Sequence, residues 1–325
     1  MSFQTTLPKI KTAVPEVDFG YLPELAPYLR EPDAMYVGAP GKHGYLRMRF
    51  GFNCDGKCVL RELDRRVPII VQQELYFDAN LPKMPCVYIL ASGGPNIDGD
   101  RFEQNIELDP GAYAFVSTGA GTKISTMRSN YAGMKQLFTL HEDSYLEFLP
   151  EPVFPGQHSR FACDTEIVCH PSATITYSEI YMCGRRFYRS KLPEGEIYAY
   201  DVMSVLTHGR RPDATRDLFR EKFVIEPYKR FPKTIGVMAD YDIFANVVVL
   251  TPPDKAAEVY NATEPFIDRD RQLAAGITTL PNGAGLLYKV MGNKPGPVKE
   301  IVRGFASKVR QAVKGVPIPP EFPWR

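Results

Sequence analysis

Tyr45-Leu46-Arg47-Met48-Arg49-Phe50-Gly51-Phe52-Asn53-Cys54-Asp55-Gly56-Lys57-Cys58 carries two signals at once. Leu46, Met48, Phe50 and Phe52 alternate with Arg47 and Arg49, the pattern of a half-buried strand. Asp55-Gly56 then supplies the residue pair that favours a tight hairpin turn. A two-residue turn there pairs 54 with 57 and 53 with 58. It sends Cys54 and Cys58 to opposite faces of the sheet. Further strands are predicted at 58–63, 67–76, 86–92, 102–108, 112–118, 136–140, 144–149, 161–168, 173–183 and 197–207. They are short and separated by turn signals, with no helix between them, so alternating strand–helix folds are excluded.

Three turns recur. Asp109-Pro110-Gly111, His141-Glu142-Asp143-Ser144 and Cys169-His170-Pro171-Ser172 each end one strand and start another, and they lie about 30 residues apart. A strand-turn-strand unit at that spacing buries its apolar face only against its neighbours. The fold class is therefore mainly β: sheets wound in layers, as a β-solenoid or spiral or as a sandwich. Residues 1–44 are Pro-rich without periodicity and read as an irregular arm, with one β-rich domain over 45–325.

Helix is confined to the second half, with short helices predicted at 213–222 and 254–260. A clear amphipathic one is predicted at 298–313, where Val298, Ile301, Val302, Phe305, Val309, Ala312 and Val313 share a face. Lys299, Arg303, Lys308 and Arg310 fall elsewhere around it. The reading is a core-packed helix with a solvated basic face; a partner-binding helix is the alternative.

The net charge of +1 gives no electrostatic reason to bind nucleic acid. The longest apolar stretches, such as Ile243–Leu250, are far too short to cross a membrane. The first residues show no basic-then-apolar leader, which makes the cytoplasm the expected compartment. The six cysteines are expected as free thiols. Ser117–Ser125 resembles a phosphate loop but has Thr122 between Gly121 and Lys123, and no helical pattern follows. The five histidines form no ligand pair, and Cys163, Cys169 and His170 are not placed to share a site.

Two acidic features stand out. Asp98, Asp100 and Glu103 cluster after Gly93-Gly94-Pro95, as a charged turn or as a carboxylate group. Glu179 lies in Thr174–Tyr181, a strand otherwise free of charge. If buried, it requires a partner or a water-filled channel.

From Gly44 to Arg325 the chain resembles the urease accessory protein UreD (UreH) family. The resemblance runs through Val71–Tyr76, Gly93-Gly94 to Gly99-Asp100, Asp109–Ala112, Thr122-Lys123, Leu146–Glu151, Phe154–Gly156, Ser178–Ile180, Cys183–Arg185 and Pro319–Trp324, in order. It departs where Gln73-Glu74 replace Arg-Pro and where the glycine signature is one residue longer, with Asp98 in place of Gly. The resemblance implies a two-layered β spiral that is a scaffold, not an enzyme. Its implied partners are the accessory protein UreF, the GTPase UreG through UreF, and apo-urease subunits, in a dimeric assembly through UreF. It implies no tightly bound cofactor, with nickel in transit through a water-filled tunnel. Carried over, Asp100, Thr122, Glu179 and Glu221, with the neighbouring Asp98, become candidates for weak nickel ligation. The alternative is a β-rich hydrolase or isomerase using Asp98, Asp100 and Glu103.

Overall fold

A computed structural model describes residues 17–30, 41–188 and 195–322; most of the Pro-rich arm and the closing Pro323-Trp324 lie outside these. The chain enters through a hairpin, β1 (His43–Phe52) and β2 (Cys58–Arg66), and a short β3 (Ile69–Ile70). It then winds between two sheets. β4 (Cys86–Ala91) lies in the second sheet and β5 (Arg101–Leu108) in the first. The next turn of the spiral comprises β6 (Tyr113–Thr118), the short β7 (Thr122–Ile124) and β8 (Ala132–Leu140). Then come β9 (Tyr145–Phe148), β10 (Val153–Pro155) and β11 (Arg160–Cys169), and after them β12 (Thr174–Tyr181), the small β13 (Gly184–Arg185) and β14 (Glu196–Ile197), and β15 (Val202–Arg210).

β1, β5, β8, β11 and β15 stack in parallel, as do β4, β6, β9 and β12 opposite them. This is a spiral of two sheets, and its repeat is the predicted spacing of about 30 residues. The three turns stack too. Gly111 N donates to Glu142 O (2.7 Å) and Thr174 N to Ser144 O (2.9 Å), and Gly111 takes the positive φ of 73° that its turn needs.

Antiparallel strands close the body. β16 (Asp217–Ile225) caps the first sheet beside β15. β17 (Ile243–Leu250), β18 (Phe266–Asp268), β19 (Leu273–Thr279) and β20 (Gly285–Gly292) extend the second in the order β12-β17-β20-β19-β18. Two helices, α1 (Pro253–Asn261) and α2 (Pro295–Lys314), pack on that sheet's outer face. On the outer face of the first sheet lie residues 17–30, where Phe19, Leu22 and Leu25 pack against Tyr131, Ala162 and Val202.

Five expectations need correction. The segment predicted as a helix at 213–222 is the strand β16. Phe219, Glu221, Phe223 and Ile225 alternate with the exposed Arg220, Lys222 and Val224, and pairing to β15 outweighs the local helix formers. The first hairpin closes at Phe52 and Cys58, one residue earlier than predicted, because Asn53 Oδ1 accepts the amides of Asp55 and Lys57 and widens the turn. Of the predicted strand 67–76, only Ile69–Ile70 and a bridge at Leu75 pair. Of 197–207, Val202 onward is the main strand.

The fifth is Arg310. Helix α2 has its apolar face where predicted and ends at Gly315, with φ 74°. Arg310, however, points inward and is 0% exposed. Its Nε and Nη2 donate to the two oxygens of Glu147 at 2.7 and 2.6 Å, and its Nη1 donates to Asp78. Asp78 Oδ1 also accepts the amides of Asn80 and Leu81, and Tyr145 OH donates to Glu147 at 2.5 Å. The triad carries one excess negative charge. Lys314 lies close by, its Nζ 5.0 Å from the Tyr145 ring, with burial holding its pKa below the usual lysine value.

All six cysteines are free; only Cys54 is exposed, and burial raises the thiol pKa of the other five. No helix among the described residues is long and apolar enough to cross a membrane.

Candidate functional site

Most inward positions between the sheets are apolar: Met48 and Phe50, Ile106 and Leu108, Phe138 and Leu140, Ile167, Ile175 and Leu250. One level is different. Gln104, Gln136, Thr165, Thr207 and Glu221 occupy successive strands β5, β8, β11, β15 and β16 in one register. On the second sheet Glu179, Asn246 and Lys289 form a matching row on β12, β17 and β20. The apolar levels fix this register, because a one-residue slip would turn every side chain to the other face.

The two rows meet. Gln136 Nε2 donates to Gln104 Oε1 at 3.0 Å, and Thr165 Oγ1 donates to Gln136 Oε1 at 3.0 Å. From the second sheet, Tyr177 OH reaches Gln136 Oε1 at 3.2 Å and lies 3.1 Å from Thr165 Oγ1. Lys289 pairs with Glu221 across the far end. Thr207 Oγ1, in the middle of the row, is buried without a hydrogen-bond partner. A buried hydroxyl of that kind fits a layer that holds water.

Glu179 is the charged centre. It is 5% exposed and its partners are all neutral: Tyr181 OH at 2.8 Å, Asn246 Nδ2 at 3.3 Å and Tyr177 OH at 3.5 Å. Burial pushes its pKa up from 4.5 to about 7, against the pull of those donors, and Glu221 adds to the rise. The carboxyl is therefore divided between its two protonation states near neutral pH.

Glu179 faces a cavity of about 60 Å³ that Gln104, Thr122, Gln136, Cys163 and Tyr177 also line. That is room for several waters, since one needs roughly 10–15 Å³. Gln104, Thr118, Thr122 and Met134 are shared with a second cavity of about 290 Å³, which extends to Gly94–Asn96 and Ala120–Lys123.

Thr122 and Glu179 thus line one cavity, and Glu221 lies in the same polar layer two strands beyond Thr165. Asp98 and Asp100 are placed elsewhere. Asp98 accepts the amides of Arg128, Ser129 and Asn130 at 2.6–3.2 Å. Asp100 accepts the amides of Lys42 and Ile97, both at 2.9 Å, with Lys42 Nζ at 3.3 Å. Both carboxylates hold loops together. Glu103 lines a groove on the outer face of the first sheet and accepts from Asn105 Nδ2 at 2.7 Å. The three acids serve three neighbourhoods. Among the described residues no three His, Cys, Asp or Glu side chains gather to hold a metal ion.

Gln104, Gln136, Tyr177, Tyr181, Asn246 and Lys289 were not singled out from the sequence. The available signal was Gln104 and Gln136 standing at inward positions of two predicted strands.

The fold is a two-sheet spiral with a polar layer between its sheets, and two adjoining cavities lie beside that layer. The chain belongs to the UreD urease accessory protein family, whose model matches residues 42–325. It is 40% identical over 301 residues to "Urease accessory protein UreD 2" of Brucella ovis, an alignment covering 93% of this chain and 98% of that protein. It is 39% identical over 304 residues to "Urease accessory protein UreD" of Yersinia enterocolitica serotype O:8, covering 93% of each.

Proposed function

We propose that this chain is a urease maturation factor that docks on apo-urease with UreF and UreG, in a dimeric assembly through UreF, and gives nickel a path through the polar layer. The observation that carries the reading is Glu179, a buried carboxylate near neutrality with only neutral partners, on a water-sized cavity that adjoins a larger one.

The chemistry suits a cargo in passage. Neutral amide and hydroxyl oxygens with one carboxylate bind a divalent first-row cation loosely, so it is released as readily as it is taken up. A cation near Glu179 lowers the pKa of its carboxyl, and where the carboxyl is protonated its proton leaves, so the charge of the layer rises by one rather than by two when the ion arrives. Thr122 and Gln104 stand where the two cavities meet, and Glu221 lies toward the other end of the row.

The test is urease activation with purified apo-urease, UreF, UreG, GTP, bicarbonate and nickel. Activation is expected only with this chain present. Glu179→Ala is expected to lower it while leaving the chain's complexes with its partners intact. Activation unchanged by omitting the chain would overturn the proposal. A full rate with Glu179→Ala would overturn the path.

A further inference from the structure

The larger of the two cavities differs in chemistry from the one that Glu179 lines. Its volume is about 290 Å³, just under the small end of ligand pockets, which run to about 300–1,000 Å³. Ile69, Ile89, Leu90, Phe102 and Met134 give it apolar walls. The exposed Gly94, Pro95, Ala120 and Lys123 bring it to the surface, while Asn96 and Gln104 line it from buried positions. Ala120 to Lys123 belong to the stretch that resembles a phosphate loop in sequence; here they lead into the strand β7 rather than a helix.

The polar groups around this cavity are donors. Gln136 Oε1 accepts from Thr165 and Tyr177, so Nε2 is the end that donates to Gln104 Oε1. That fixes the Gln104 amide. Its Nε2 is left as a donor with no protein partner among the described residues, although the side chain belongs to a residue only 5% exposed. Asn96 Nδ2 is buried and also unpartnered. The backbone of Asn96 is pinned to β7 and the residue after it, through Asn96 N to Lys123 O at 2.8 Å and Ser125 N to Asn96 O at 2.9 Å. Lys123 forms no ion pair among the described residues, and no carboxylate among them lines the cavity. A buried donor left without an acceptor is costly. Two amide donors and one lysine, with no acid to face them, suit a ligand that brings its own acceptors.

We propose that this cavity binds a small monocarboxylate, with the carboxylate toward the donors and a short carbon chain on the apolar walls. Lys123 favours an anion over a neutral acceptor, because charge-assisted hydrogen bonds are the stronger ones. A doubly charged phosphate would leave one charge unmatched by the single lysine. Bicarbonate has the same planar head but nothing to lay against Phe102 and Met134. The site borders the Glu179 cavity through Gln104, Thr118, Thr122 and Met134. It does not depend on nickel passing there.

The experiment measures binding of butyrate to the full chain by titration calorimetry and ligand-observed NMR, using wild type, Lys123→Gln, Asn96→Leu and Gln104→Glu. Lys123→Gln and Asn96→Leu are each expected to weaken binding about tenfold, as for loss of a hydrogen bond to a charged group. Gln104→Glu keeps the acceptor for Gln136 but turns the donor into an acceptor, and should abolish binding. Butanol, with the same chain and no charge, should bind at least about tenfold more weakly than butyrate, and acetate and bicarbonate more weakly too. Lys123 is exposed, so Lys123→Gln should unfold at the wild-type temperature and remains decisive if a buried variant does not fold. No binding of butyrate to wild type, or equal binding to wild type and Lys123→Gln, would overturn the site. Butanol bound as tightly as butyrate would make it a plain apolar cavity, and bicarbonate bound as tightly would remove the chain from the ligand; either overturns the monocarboxylate.

Discussion

Glu147 and Glu179 lie three and six positions into two adjacent parallel strands of one sheet, β9 and β12, and point to opposite faces of it. Both are buried. Glu147 faces α2, where Arg310 grips both of its oxygens and Asp78 shares the guanidinium. Glu179 faces the interior of the spiral, where two tyrosines and an asparagine donate to it and no cation does. Burial is common to both; the charge of the partners separates them. A carboxylate matched by a guanidinium locks an element in place. One with neutral donors and a cavity beside it has no fixed cation to hold its charge. The same sheet fastens a helix with one face and lines the polar layer with the other.

Breaking the Glu147 pair gives the largest expected effect. Arg310→Met leaves two buried carboxylates, Asp78 and Glu147, without their cation and should cost about 3–5 kcal/mol in urea-induced unfolding at pH 7. A cost under about 1 kcal/mol would show the triad to be slack and the contrast false.

Glu179→Gln should act in the opposite direction. The folded-state pKa is raised to about 7 from 4.5. Below pH 4.5 the carboxyl is neutral in both folded and unfolded chains, and the substitution should be nearly silent. As pH climbs from 4.5 to 7 the unfolded chain ionises while the folded one resists, so the native protein loses stability. Above pH 7 that loss is complete, about 3 kcal/mol by 1.36 kcal/mol per pKa unit. Glu179→Gln should therefore be more stable than wild type by up to that amount at pH 8, while being a poorer maturation factor. Equal unfolding midpoints at pH 5 and pH 8 in the two proteins would remove the unpaired carboxylate from the account.

A smaller change sharpens the same point. Tyr181→Phe deletes the 2.8 Å donor to Glu179. It should destabilise the protein by about 1 kcal/mol at pH 8 and move the Glu179 titration, followed by carbon-13 NMR of its carboxyl, to still higher pH. An unmoved titration would mean that the tyrosine does not hold the ionised form.

Much of this was legible in the residues, for physical reasons. Strands with one face in the core announce themselves by alternation, and the repeated turns at Gly111, Ser144 and Ser172 gave the period of the spiral. Glu179 was conspicuous as an acid in a strand otherwise free of charge. Three things were hidden. Phe219 and Phe223 are four apart, a spacing that a helix face and one side of a strand both satisfy, so β16 was misread until its pairing with β15 was seen. Arg310 looked like any basic residue on an amphipathic helix; its acids come from positions 78 and 147, more than 160 residues away, and no local pattern connects them. The polar layer is likewise non-local, since each strand gives it one residue. Asp98 and Asp100, prominent in sequence, serve the local backbone of their loops, a role that acids beside glycine turns commonly play.

Because the interior row takes one side chain from each turn of the spiral, its inheritance is constrained in an unusual way. A point change in β5, β8, β11, β15 or β16 rewrites a single position of the lining and leaves the others untouched. An insertion or deletion inside any of those strands would throw that strand's whole contribution to the opposite face. The polar row can therefore change residue by residue, whereas changes of length must fall in the connecting turns, where the chain is free to grow without moving the line.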